Sequence, residues 1–199
     1  MKGNRGFTLV EVMIVIAVVA IGIVLAVPSF RDLIERKAVG GAAEAAYQQL
    51  QRARSQAVKR SKPIVVDFNV NGTSWAIGLT DKATCNAEST AFATSCTVEY
   101  NNDGVAIDRV LMRIQGINHK DITMSQATGF ANPAGGAPRG CSTTNNQQAC
   151  FDFVRGLART GAYDFDSGNY TLRVQVTQLG HVNICIPAGE KNVVGYDDC

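Results

Sequence analysis

Residues 3–28 read GNRGFTLVEVMIVIAVVAIGIVLAVP. A short basic leader carrying Lys2 and Arg5 ends in Gly6. Phe7, Thr8, Leu9 and Val10 follow, then a single carboxylate at Glu11 and an unbroken apolar run to Val27. Leu9 to Val27 is roughly 19 residues, which as a helix spans ~28 Å, close to the ~30 Å hydrocarbon core of a bilayer. A carboxylate at that depth costs roughly 2.5–3.5 kcal/mol on insertion scales, so its presence points to a function. A secretory signal places its small-residue cleavage site after the apolar region. Here the small residue, Gly6, precedes it. Cleavage after Gly6 would leave the apolar helix in place and make Phe7 the new N-terminus.

The helical pattern continues past Pro28, where a kink is expected because proline lacks an N–H and crowds the preceding turn. Phe30, Leu33, Ile34, Ala38, Ala42, Ala45, Ala46, Leu50, Ala53, Ala57 and Val58 recur at spacings of three and four, an amphipathic stripe. The stripe is mostly alanine, which permits close approach to a sheet. Gly40 and Gly41, each worth up to ~1 kcal/mol against Ala in mid-helix, mark either a bend or a tight contact. Lys62-Pro63 ends the helix. Strands are expected at Ile64–Val70, Ser74–Leu79, Thr97–Asn101, Arg109–Gln115, Ile122–Ser125, Cys150–Val154, Asn169–Thr177 and His181–Ile186. Asn71-Gly72 is the signal of a two-residue hairpin. Thr80 to Cys96 and Ala127 to Ala149 read as loops, and Thr80 to Cys96 and Ala127 to Cys150 are candidate partner-contact surfaces. The predicted architecture is α+β. One long N-terminal helix packs its second half on an antiparallel β domain, and its first half projects alone. The expected divisions are a leader at 1–6, a membrane or filament-core helix at 7–28, an amphipathic half at 29–62 and a β domain at 63–199.

Six cysteines, Cys85, Cys96, Cys141, Cys150, Cys185 and Cys199, all lie beyond the anchor. An even number on the exported side of a membrane reads as disulfides, with 15 possible pairings for six. Their spacings suggest three sequential loops, Cys85–Cys96, Cys141–Cys150 and Cys185–Cys199. Metal binding is disfavoured: there is no C-x-x-C, and only His119 and His181 are available. No nucleophile elbow or phosphate-binding glycine loop appears, so neither an enzyme nor a cofactor is expected. Asp164 and Asp166 read as solvated loop carboxylates and Trp75 as core. The chain has 19 basic and 17 acidic side chains, and loss of Lys2 and Arg5 balances them. That balance argues against bulk attraction to nucleic acid.

The order Gly6, Phe7, Thr8, Leu9, Glu11, apolar run, Pro28 resembles the class III prepilin signal of type IV pilins and type II secretion pseudopilins. The resemblance implies cleavage after Gly6 by a prepilin peptidase and N-methylation of Phe7. It also implies a helix first held once through the inner membrane, with a periplasmic globular domain, and later drawn into a filament at the cell surface. The physics of Glu11 fits. A new α-amino group at Phe7 has a reference pKa of ~7.7–8.0, and a glutamate one turn on can pair with it or with the amine of a neighbouring subunit. Such pairing would set the axial register. The alternative is a glutamate that snorkels to the membrane surface.

The β region resembles the FimU/FimT/GspH family of minor pilins and pseudopilins, through YQQLQRARSQAVKRSKPIVV, CFDFVRGLART, and the paired SGNYTLRVQV and GHVNICI. That resemblance implies a minor subunit near the filament tip that primes or connects pilus assembly. Its expected partners are other minor pilins and the major pilin. The secretion branch of the family would do the equivalent in type II secretion. The FimT-like branch binds DNA through arginines in its last strand region. Here that stretch is Gly180, His181, Val182 and Asn183, without a fixed positive charge. Phosphate contacts draw most of their affinity from Lys and Arg, so DNA uptake is disfavoured. The other basic groups are Arg52, Arg54, Lys59, Arg60 and Lys62, with Arg155 and Arg159.

Overall fold

The computed structural model describes residues 8–89, 91, 94–99, 109–142 and 145–199, with the side chains of 24–29 and 109 outside that description. Its backbone is one long helix and two four-stranded sheets. The helix, α1, runs Leu9–Arg60. Thr8 caps its start, and Ser61 closes it in the left-handed region (φ 52°), donating its N–H to the carbonyls of Ala57 and Val58. Lys59 and Arg60 occupy the last turn, where cations suit the helix dipole, and Pro63 forbids continuation.

Ten strands follow among the described residues: β1 Ile64–Asn69, β2 Ala76–Thr80, β3 Thr97–Glu99, β4 Arg109–Leu111, β5 Arg113–Gln115, β6 Thr123–Ala131, β7 Gln148–Phe151, β8 Thr160–Asp166, β9 Thr171–Val176 and β10 Val182–Cys185. One sheet has the order β5-β2-β1-β7, the other β10-β9-β8-β6, and β3-β4 is a separate ribbon. All of these pairings are antiparallel.

Helix and sheets meet in one core. Val39, Ala42, Ala43, Ala46, Leu50, Ala53 and Ala57 are fully buried on α1, and the helix touches strands of both sheets. Alanine dominates that face because the backbone lies close to β9, β1 and β10. The sheets themselves are joined by aromatics. Phe68 of β1 stacks on Tyr163 of β8 (4.3 Å between centroids) and on Phe130 of β6 (5.4 Å). Trp75 is buried, donates Nε1–H to the Ile122 carbonyl (3.0 Å) and meets Phe165 edge-on at 5.3 Å.

The structure shifts several sequence expectations. The buried stripe begins at Val39, whereas Phe30, Leu33 and Ile34 are exposed, because the β domain reaches only part of the helix; Val58, next to buried Ala57, is exposed as well. Gly40 lies beside Tyr196, where a Cβ would make an ordinary contact at 3.4 Å from the hydroxyl, while Gly41 faces open space. The β1–β2 register joins Asn69 to Ala76, so the connection is longer than two residues. Within it Gly72 (φ 56°) makes the turn in which Ser74 N–H bonds to Asn71 O. Arg109–Gln115 divides between two sheets at Met112. The strand at Ile122 extends to Ala131 through two irregularities in register, so the segment from Ala127 is partly sheet. Strand Thr160–Asp166 was not expected, and its Asp164 is no solvated loop residue: Arg173 opposite donates to both its oxygens at 2.7 and 2.8 Å. The end of the strand expected at Thr97–Asn101 lies outside the described residues.

Candidate assembly site

The N-terminal part of α1 has no cover. Every described side chain from Leu9 to Ile23 is exposed, the large apolar ones included. Among the described residues no helix is long and apolar enough to cross a membrane. An apolar helix exposed on all sides is a face awaiting a partner of its own polarity. Gly6 and Phe7 lie outside the described residues, and at Pro28 the helical backbone continues.

At the tip of this helix Thr8 and Glu11 form a reciprocal capping box. Glu11 N–H donates to Thr8 Oγ1 (3.3 Å), and Thr8 N–H donates to Glu11 Oε2 (3.5 Å). Two N–H groups that a helix start leaves open are thereby satisfied. The carboxylate also sits where the helix dipole favours negative charge. Glu11 is thus fixed at the exposed N-terminal end of the helix.

Between the exposed stretch and the apolar core the helix is fastened by polar groups. Tyr170 Oη donates to Asp32, Asn169 Nδ2 donates to Glu35 Oε2 at 2.7 Å, and Tyr196 Oη donates to Glu44 Oε1 at 2.9 Å. Arg36 bridges to Asp32 at 2.7 Å and lies over the Tyr170 ring at 4.8 Å. The Tyr170 hydroxyl, helped by Arg36, holds the Asp32 carboxyl below its usual range. Burial, reinforced by Glu44, pushes Tyr196 up to about 12. The β8–β9 turn supplies Asn169 and Tyr170, and the C-terminal loop supplies Tyr196. These contacts were missed in sequence, because three acidic residues on a helix flank read as a solvated face.

Three disulfides clip the loops of the β domain. Cys85 joins Cys96, Cys141 joins Cys150 and Cys185 joins Cys199, the sequential pattern. The first loop is further held by Arg113, whose Nη1 donates to the carbonyls of Ala87, Glu88 and Ser89. The third ties down the segment carrying Tyr196. His181 and Asn183 are exposed on β10 and its approach. Arg159, one of the other basic groups of the sequence, is 3% exposed. Its guanidinium donates to the carbonyls of Asn145, Gln148 and Phe130 at 2.6–2.8 Å. Among the described residues no group of three His, Cys, Asp or Glu is placed to hold a metal ion.

A bare apolar helix on a clipped antiparallel β domain is the build of a pilin-type filament subunit, and known proteins agree. Residues 1–27 match the prokaryotic N-terminal methylation motif, and residues 42–180 match the type II transport protein GspH. The chain belongs to the GspH family, within the minor pilins and pseudopilins, whose role is structural rather than catalytic. A fimbrial protein of Pseudomonas aeruginosa is 35% identical over 81 residues, 41% of this chain and 52% of that protein. The chain therefore spans about half the length of the curated relatives it matches. Among solved structures, the type IV minor pilin FimU of Pseudomonas aeruginosa is similar with a TM-score of 0.42 at 12% identity, covering 73% of this chain and 90% of that one. The minor pseudopilin EpsH of the Vibrio cholerae type 2 secretion system gives 0.44 at 11% identity, covering 78% and 99%.

Proposed function

We propose that this chain is a minor type IV pilin, incorporated near the filament tip, where it helps prime or connect pilus assembly. The observation that carries this reading is the uncovered apolar helix from Leu9 to Ile23 on a domain that buries its own core. Prepilin peptidase cleaves after Gly6 and Phe7 becomes N-methylated. The helix then rests once through the inner membrane with the β domain in the periplasm, until it enters the filament beside other minor pilins and the major pilin. Glu11, at the exposed end, pairs with the Phe7 amine of its own or a neighbouring subunit and so sets register. Pro28 lies between the part that inserts and the part that packs.

A second reading, a pseudopilin of type II secretion, is favoured by one observation: the match of the β domain to the type II transport protein GspH. DNA uptake has less support, because His181 and Asn183 carry no fixed charge and Arg159 is buried and engaged with three carbonyls.

Deleting the protein and scoring surface pili and exoprotein release in the same strain tests the choice. Loss of pili with normal secretion, restored by the wild-type chain, is expected. Loss of secretion with normal piliation transfers the protein to the pseudopilin reading.

A further inference from the structure

Segments 133–139 and 152–157 border a cleft of roughly 510 Å³. Arg139 and Arg155 line it, both exposed, and neither has a partner among the described residues. Gln178 closes one side, with its Nε2 3.9 Å from where a Cβ on Gly135 would be. Arg54 of α1 lies behind the second segment: a Cβ placed on Gly156 would be 3.3 Å from its Nε. The one carboxylate in the lining, Asp152, is buried, and its Oδ1 accepts the N–H groups of Val154, Arg155 and Leu157. Arg54, Arg139 and Arg155 against Asp152 leave the cleft positive. Val154, 54% exposed, and Leu157 give it an apolar wall.

The surroundings of the cleft select the kind of anion that fits. α1 is continuous from Leu9 to Arg60, so Arg54 stands ~40 Å along its axis from Val27, where the apolar run ends. With that run in a bilayer, the lipid headgroups are several Debye lengths away, at ~8 Å each. A nucleic-acid duplex needs a track of cations. The exposed Arg52 and Lys59 do not extend one from the cleft, because they lie roughly 160° and 140° around the helix from Arg54. Single strands bind by stacking bases on aromatic side chains, and among the described residues no aromatic lines the cleft. An extended peptide would need a free sheet edge, and beside the cleft the edge strand β7 is closed by the bridge between Phe151 and Ala158.

We propose that the cleft binds an acidic saccharide, a short run of carboxylate-bearing sugar rings. Arg139 and Arg155 hold the carboxylates through charge-assisted hydrogen bonds. The Gln178 amide meets ring hydroxyls, and the apolar faces of the rings lie against Val154 and Leu157. Such a mixture of apolar wall and a few placed polar groups is what a small-ligand cleft of this size offers. The site is complete within one copy of the chain and needs no neighbouring subunit. It does not depend on whether the filament is a pilus or a pseudopilus.

Calorimetric titration of the full chain in uncharged detergent micelles tests this, with tetragalacturonate as the probe and maltotetraose as its uncharged counterpart. The uronate is expected to bind, less tightly as salt rises, and the neutral sugar is not. Arg139→Gln with Arg155→Gln is expected to weaken uronate binding by roughly tenfold or more. Arg52→Gln, on the other side of α1, is expected to leave it unchanged. Thermal midpoints like that of the wild type show intact folding. If the double variant folds poorly, Val154→Glu sets a carboxylate in the wall and gives the same readout. No uronate binding, equal binding of the two sugars, or unchanged affinity in these cleft variants overturns the proposal. So does inorganic phosphate that binds as tightly as the uronate, which marks a site for a free anion, and so does arginine-dependent binding of a short duplex DNA that is tighter than that of the uronate.

Discussion

The Tyr170 hydroxyl of the β8–β9 turn donates a hydrogen bond to the Asp32 carboxylate of α1, 138 residues earlier in the chain. The bond sits just before Val39, where apolar packing of the helix begins. It fixes the helix direction at the last point where the β domain can do so. Tyr170→Phe keeps the buried ring and removes only the donor. Backbone amides of residues 30–38 are expected to lose hydrogen-exchange protection, with little change in the global melting temperature. Unaltered exchange there would mean that Glu35 and Arg36 hold the helix without it.

The carboxyl of Asp67 on β1 is raised by burial, against the opposing hydrogen bond from Gln148 Nε2 at 2.6 Å. A raised acid favours the folded state while protonated. Its contribution is present below the ordinary carboxylate pKa of ~3.9 and is lost as pH rises through the higher folded value. Asp67→Asn keeps the acceptor for Gln148 and removes the charge. The variant is expected to melt higher than wild type at pH 7, with the difference shrinking towards pH 4. Melting curves at both values check this.

Arg159 ties three segments together through the carbonyls of Asn145, Gln148 and Phe130. Arg159→Met fills similar space but removes the donors that these three carbonyls share, at a cost of about 2–4 kcal/mol. Denaturant unfolding measures it. A loss below ~0.5 kcal/mol would place this arginine among ordinary surface residues.

The Cys185–Cys199 bridge closes a loop with a sequence separation of 14. Replacing both cysteines by serine is expected to destabilise by about 3 kcal/mol through the entropy of the unfolded chain. It also frees Tyr196 from Glu44. Because burial and Glu44 hold the phenol up at about 12, its spectrophotometric titration should fall towards the ordinary value of ~10. An unchanged titration would show that the loop stays seated without its staple.

Legibility in the sequence followed the strength of local signals. Apolar length and the alanine spacing define α1, and Thr171–Val176 shows its alternation openly. Strand Thr160–Asp166 was hidden because Gly161 and two aspartates have poor strand propensity. Tyr163 and Phe165 did alternate inward between them, and the cross-strand Arg173 supplies the charge that makes Asp164 acceptable. Phe30, Leu33 and Ile34 fit the helical stripe yet stay exposed, because periodicity says which face is apolar and not how far the partner sheet extends. The Arg159 contacts and the fastening of Asp32, Glu35 and Glu44 depend on residues more than ten positions apart in the chain, which no local pattern encodes.

The most direct test of the central claim is mass spectrometry of sheared surface filaments. The account predicts this chain there at low abundance, with its N-terminal peptide beginning at methylated Phe7. It also predicts that a Glu11→Ala chain, expressed normally, is depleted from the same fraction. A chain that retains residues 1–6 and stays wholly with the cell membranes, or a Glu11→Ala chain recovered from filaments at the wild-type level, would contradict it.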